Sequence, residues 1–199
     1  MPNHNITVFD LQRARELFES SEPRDLFYRV ATELVGLVIA GQTAISLSEA
    51  VAVLLQTWNR EFYRFRGGFK TADFTAIDNL INSYRMLLLA LREKNIHDFD
   101  PRDRTAVIDL FERFEEVLGP VGAAKALHVL CPTYLPIWDR KIAAGYVGNL
   151  QTGRNGDRYW RMMEYVAAQS RCLLADGYNG NCLKAIDEYN YCHFTKGWI

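Results

Sequence analysis

The chain has no CxxC pair, no apolar run long enough for a membrane, and no segment of sustained polar–apolar alternation. Each absence removes a class of protein. Cys131, Cys172, Cys182 and Cys192 are its four cysteines, and their spacing fits no common zinc site. They read as buried thiols of a protein from a reducing compartment. The longest apolar stretch, around Leu34 to Ala40, is cut by Glu33 and by Gly41-Gln42. It is too short to span a bilayer, so no membrane partner is expected. The opening MPNHNITVFD lacks the basic and apolar segments of a secretory signal, and a cytoplasmic location is expected. The absence of period-two patterning leaves no strands from which to build a sheet. Neither sign of charge dominates: 23 Lys/Arg face 24 Asp/Glu, a net charge of −1. That balance is unusual for a nucleic-acid binder. It is uneven, however, because the chain from Pro120 onward carries more Lys/Arg than Asp/Glu and the part before it the reverse.

What is present is helical pattern. At 199 residues and 49% hydrophobic content, the chain can bury a core as one domain or two small lobes. Val107, Leu110, Phe111, Phe114, Val117 and Leu118 form one apolar stripe, closed by Gly119-Pro120. Met163, Val166, Ala167, Ser170, Leu173 and Leu174 repeat the pattern. Ser46 with Glu49 is a capping-box signature for a helix expected to run to about Phe65, where Gly67-Gly68 stops it. Another helix is expected from Thr71 or Asp73 to near Lys94, with two more over 9–19 and 23–39. DFDPRDR (98–104) reads as a turn, and 145–156 and 176–181 as Gly/Asn-rich loops. The expectation is an all-α protein of eight to ten short helices.

The most informative stretch is FEEVLGPVGAAKALHVLCPTYLPIWDRKIAAGY, residues 114–146. It reads as a helix, a Gly-Pro hairpin over Gly119 to Gly122, a second helix, and a proline-punctuated turn that delivers Asp139 to the start of a third. The small residues Gly119, Gly122, Ala123 and Ala124 let a ligand backbone approach, and amide N–H groups at the second helix start favour a phosphate. Val121 is expected to point inward and pin the turn, between Val117-Leu118 and Leu127. A carboxylate just downstream can act on whatever carries that phosphate. The plainer role for Asp139 is a helix N-cap after the proline turn. A GxxG loop also occurs in KH domains, but that fold needs a sheet.

Pro120-Val121-Gly122 followed by Leu135-Pro136-Ile137-Trp138-Asp139 resembles the helix-hairpin-helix DNA glycosylases, whose adenine-type and endonuclease-III-like members carry Gly-Val-Gly and Phe-Pro-Ile-Leu-Asp at these places. The similarity covers about a sixth of the chain. It implies a two-lobed all-α fold: one lobe over 46–130, a helical barrel ending in the hairpin, and a second from 1–45 plus 131–199. Asp139 then takes the place of the catalytic aspartate. It would stabilise an oxocarbenium-like sugar and orient or deprotonate water. The segment between hairpin and aspartate is a few residues shorter than in familiar members. Bifunctional members place a Schiff-base lysine where this chain has Ala124, with Lys125 one place later, so a monofunctional enzyme is expected. Some members hold a four-cysteine iron–sulfur cluster. The cysteines here are too far apart for one, which leaves a monovalent cation at the hairpin as the only cofactor to consider.

The DNA contacts implied are Gly119, Val121, Gly122, Ala123, Ala124 and Lys125, with Arg64, Arg66 and Lys70 for further phosphates. Gln56, Trp58, Asn59, Tyr63 and Trp138 are the candidates to fill the gap left by a flipped base or to line its pocket; the alternative for Trp58 and Tyr63 is a core helix. His128 is expected to be a packed, partner-bonded histidine. Tyr189, Tyr191, Phe194 and Trp198 are expected to dock the tail onto the body. The partner implied is double-stranded DNA with a flipped base, bound by a monomer. Compact divergent members of the superfamily point to a hypermodified base, such as glucosylated hydroxymethylcytosine in phage DNA, as a substrate in antiviral defence. A non-catalytic hairpin DNA-binding module and a helical protein–protein adaptor are the competing readings.

Overall fold

The computed structural model describes residues 6–64 and 67–199, with the side chain of Glu61 left aside. Among the described residues there are ten α-helices and no strand: α1 (Val8–Ser21), α2 (Asp25–Ile39), α3 (Leu47–Trp58), α4 (Arg60–Arg64), α5 (Thr71–Ser83), α6 (Arg85–Arg92), α7 (Arg104–Leu130), α8 (Arg140–Val147), α9 (Gly156–Ala175) and α10 (Cys182–Asn190). No described helix is long and apolar enough to cross a membrane.

The helix starts follow local rules. Ser46 and Glu49 form the expected capping box on α3, and Thr7 with Asp10 forms another on α1. Two long helices expected from sequence are each broken once. The first stops at Asn59, the C-cap of α3, before the short α4 begins. The second is divided at Tyr84 between α5 and α6, and Tyr84 bonds outward to Asp109 at 2.7 Å. The 98–104 segment is a turn as expected: it follows a 3₁₀ turn at Ile96–Asp98 and contains a second at Pro101–Asp103.

The apolar stripe of α7 is buried along Val107, Leu110, Phe111, Phe114 and Leu118. Phe111 stacks on Tyr159 of α9 at a centroid distance of 4.2 Å, and Trp138 meets both rings edge-on. α2 packs most extensively on α3, α7 on α9, and α1 on α10, so the two ends of the chain meet.

Helix α8 runs through Gly145, where a loop is expected from sequence. Gly145 serves close packing: a Cβ there would lie 2.5 Å from the ring of Phe194. That ring, with Trp198 against Tyr191, docks the tail as expected. Cys131, Cys182 and Cys192 are buried, but Cys172 is exposed and departs from the all-buried expectation.

Candidate functional site

The hairpin is a sharp kink at Gly119, where two helical arms of α7 meet as the sequence leads one to expect. Gly119 alone leaves helical geometry, at φ 69° and ψ 167°. That conformation favours glycine, and a Cβ there would lie 2.9 Å from the Phe62 ring. Pro120 then occupies the first position of the new helical arm, where its missing N–H costs nothing. Val121 and Gly122 follow in the first turn of that arm and line the cleft. Gly122 lets the arm approach α3: a Cβ would sit 3.0 Å from Asn59 Nδ2. Val121 is half-buried and faces the cleft, so the inward pin expected of it is supplied elsewhere. Trp138, wholly buried, donates its indole N–H to the Pro120 carbonyl at 2.9 Å.

Trp138 thereby ties the hairpin to the segment that carries Asp139. Two more bonds fix that segment. His128 is buried and donates from Nδ1 to the Leu135 carbonyl at 2.7 Å, while its Nε2 accepts from Tyr28 Oη at 3.0 Å. Tyr159 Oη donates to the Pro136 carbonyl at 2.8 Å. Burial, chiefly, lowers the His128 pKa to about 4. The packed histidine expected from sequence is found, and it positions the aspartate's approach.

Asp139 is the N-cap of α8. Its Oδ1 accepts from the amides of Lys141 and Ile142, both at 2.8 Å, and its Oδ2 accepts from the Thr195 hydroxyl at 2.6 Å. Thr195 belongs to a π-helical turn, Tyr191–Lys196, whose Thr195 carbonyl also accepts from Lys141 Nζ at 2.9 Å. A π turn re-aims side chains that an α-helix would send elsewhere, and here it brings the C-terminus onto the carboxylate.

A cleft of about 930 Å³ joins these parts. Its walls include Trp58 and Asn59 from the end of α3, the hairpin residues Gly119, Val121 and Gly122, Lys125 and Asp139. Arg24, Arg60, Arg140 and Lys141 also line it, so five cations surround one carboxylate in a chain of nearly neutral charge. Lys125 is 7% exposed, and its ammonium donates to the Trp58 carbonyl, an orphan at the end of α3. Burial lowers its pKa to about 8, against the opposing pull of Asp139 and Asp187. Arg24 is held at the cleft by Glu22, with Nη2 to Oε2 at 2.6 Å, and by Tyr191 Oη at 2.8 Å. That bond to Arg24, chiefly, lowers the Glu22 pKa to about 2.

A smaller chamber of about 340 Å³ lies behind the cleft and shares Arg24, Trp58, Lys125, Asp139 and Thr195 with it. Its remaining walls include Phe18, Ile137, Ile142, Tyr191 and Asp187. Among the described residues no group of three or more His, Cys, Asp or Glu side chains is gathered to hold a metal ion.

The structure therefore gathers Trp58, Asn59, Gly119, Val121, Gly122, Lys125 and Asp139 from the residues singled out in the sequence. The others lie apart. Gln56 is exposed on α3 away from the cleft lining, since two residues turn a helix by about 200°. Tyr63 is buried between Phe62 and Phe69, and Trp138 is core; neither can enter a DNA stack. Ala123 and Ala124 are fully buried, so only their backbones could meet a ligand. Arg64 and Lys70 are exposed beyond the cleft lining, and Arg66 lies outside the described residues. Arg24, Thr195 and Asp187 were missed because nothing near them in sequence marks them; Arg140 and Lys141 follow Asp139 directly and could have been included. No protein-family model matches the chain, and no curated protein or solved structure matches it either.

Proposed function

We propose that the protein is a monofunctional DNA glycosylase of helix-hairpin-helix type, hydrolysing the N-glycosidic bond of a flipped damaged or modified base in double-stranded DNA. The observation that carries this reading is the convergence of the hairpin turn, five cations and Asp139 on one cleft. The first-turn amides of the second arm and a guanidinium held in place by Glu22 suit a phosphodiester backbone. The cleft draws Thr57–Arg60, Phe62, Leu118–Gly122 and Lys125 from the 46–130 portion and Arg24, Asp139–Lys141 and Thr195 from the remainder, in keeping with a two-lobed arrangement.

In this reading Val121 and Gly122 grip a phosphate beside the target nucleotide. Asp139, oriented by Thr195 and two amides, stabilises positive charge developing at C1′ and directs a water onto it. Lys125 is engaged by the Trp58 carbonyl, which supports hydrolysis without a Schiff base. A hypermodified base of phage DNA, such as glucosylated hydroxymethylcytosine, is the substrate to try first, on family analogy.

A non-catalytic DNA-binding module is the second reading, favoured by the full hydrogen bonding of Asp139 as a cap. One substitution separates the two. Asn caps helices as well as Asp does, so Asp139→Asn retains the fold while removing the charge. Wild type and variant are incubated with duplexes carrying uracil, 8-oxoguanine, alkylated, mismatched, hydroxymethylated or glucosyl-hydroxymethylated bases, and alkali-labile breaks are scored. Cleavage of one substrate by wild type alone supports the glycosylase. Silence with salt-sensitive binding supports the module.

A further inference from the structure

Asp187 lies on α10 at the wall of the rear chamber and is 5% exposed, yet its carboxylate accepts no hydrogen bond from any described residue. Buried carboxylates are normally paired, and an unpaired one is costly. Its neighbour Lys184 reaches Asp25 at 2.9 Å and Glu188 at 3.2 Å, and lies over the rings of Phe18 and Tyr28. Asp187 has no ion pair of that kind, and it lines a chamber shared with Asp139 and the cleft.

Two carboxylates thus border one chamber in opposite surroundings. Asp139 is half-buried and accepts three hydrogen bonds. Asp187 has none, and burial pushes its pKa up to about 7. The groups acting on it are Lys184 and Glu188 from its own helix, Lys125 from α7 and Asp139 from the start of α8. Glu22, Arg24, Tyr191 and Lys196 complete the charged and titratable lining. A buried carboxyl group without hydrogen-bond donors, lining the same chamber as one that accepts three, is suited to give a proton.

Resting on the glycosylase reading above, we propose that the rear chamber receives the flipped base and that Asp187 is a second catalytic residue, the general acid that protonates the departing base. The base enters between Phe18, Trp58 and Ile137, with its sugar at Asp139. The C1′–N bond breaks, and its electron pair goes to the base. The Asp187 carboxyl proton passes to a ring nitrogen or carbonyl oxygen of that base. Water adds to C1′, and its proton leaves by way of Asp139. The products are a neutral base and an abasic sugar, and the resulting Asp187 carboxylate regains a proton from solvent. An acid matters most for bases that leave poorly as anions. Amino-bearing bases of the cytosine or adenine kind are such leaving groups, whereas keto bases of the uracil kind depart as delocalised anions. The substrate class assigned is therefore an amino-bearing base.

The test uses full-length protein and three amino/keto pairs in duplex DNA: 5-hydroxymethylcytosine with 5-hydroxymethyluracil, the glucosylated form of each, and adenine with hypoxanthine. Single-turnover excision is measured from pH 5 to 9 for wild type, Asp187→Asn and Asp187→Leu. Duplex containing a tetrahydrofuran abasic analogue serves as a binding probe that lacks a base. The expected result is excision of an amino base faster than its keto partner, a rate that falls on the alkaline side, and a loss of about 100-fold or more in Asp187→Asn. Binding of the abasic analogue should stay within about two-fold, and both variants should melt at a higher temperature than wild type at pH 8, because an unpaired buried charge has been removed. A merely structural aspartate would lower the melting temperature instead. Keto bases cleaved as fast as amino ones, or Asp187→Asn within three-fold of wild type, overturn the proposal while the glycosylase stands. Wild-type silence on all six duplexes overturns the proposal, and the glycosylase reading falls with it only if uracil, 8-oxoguanine, alkylated and mismatched duplexes are left intact as well.

Discussion

Two buried carboxylates, Glu115 and Asp187, show how differently this fold treats the same chemical group. Glu115, on α7, accepts from the Asn155 amide N–H at 3.0 Å and from Asn155 Nδ2 at 2.5 Å. Asn155 also donates to the Gln151 carbonyl and accepts from the Gln151 amide, so the 148–155 loop is clamped to the core. Asp187, equally buried, has no such partner. Interior polar groups are normally satisfied because desolvation without compensation costs more than the bond returns. The Glu115 region follows that economy and reads as architecture. The Asp187 region departs from it beside a cavity, and departures of that kind collect where a ligand completes the set.

The sharpest way to break the comparison is at its satisfied end. Glu115→Ala should cost about 3 kcal/mol, since it orphans two buried donors and frees the loop. Chemical denaturation would show it, and a change below about 1 kcal/mol would mean the clamp is ornamental. Next comes the far wall of the cleft. Gly119→Ala forces φ 69° on a residue with a Cβ and drives that atom against Phe62, for about 2 kcal/mol, and should weaken DNA binding in step. Unchanged stability would contradict the kink.

Asp187→Asn should move stability the other way, by about 1 kcal/mol of gain at pH 8. The smallest effect is in the pH profile. Asp187 binds a proton more tightly folded than unfolded, rising from 3.8 to about 7, so its contribution is present at low pH and lost as pH climbs through that window. His128 binds one less tightly folded, falling from 6.5 to about 4, so its contribution is lost as pH falls from 6.5 toward 4. The two slopes oppose each other between about pH 4 and 6.5. Asp187→Asn should unmask a stability that rises with pH across that interval, measured by melting temperature, and His128→Phe in that background should flatten it.

Much of the scaffold was legible beforehand because its determinants are local. The capping box at Ser46 and Glu49, the stripe on α7 and the stop at Gly119-Pro120 each act within a turn or two of chain. Even the position of Asp139 at a helix start follows from the proline turn before it. Residues assigned by type alone fared worse. Tyr63 and Trp138 carry the aromatic faces that stacking needs, but long-range packing took them for the core. Gln56 shares a helix with Trp58, and its angular place turns it outward.

By itself, then, the sequence determined an all-α chain, its helix boundaries to within a few residues, and a glycine-proline kink followed by a capped aspartate. Only the tertiary structure decided what that aspartate meets. The π turn that lands Thr195 on it, the Glu22-held guanidinium of Arg24 and the bare carboxylate of Asp187 all come from distant parts of the chain. Caps, periodicity and turns are set by neighbours along the backbone. A cleft is assembled by helices whose contacts skip most of the chain, and no local pattern encodes which side chains that packing leaves facing the same space.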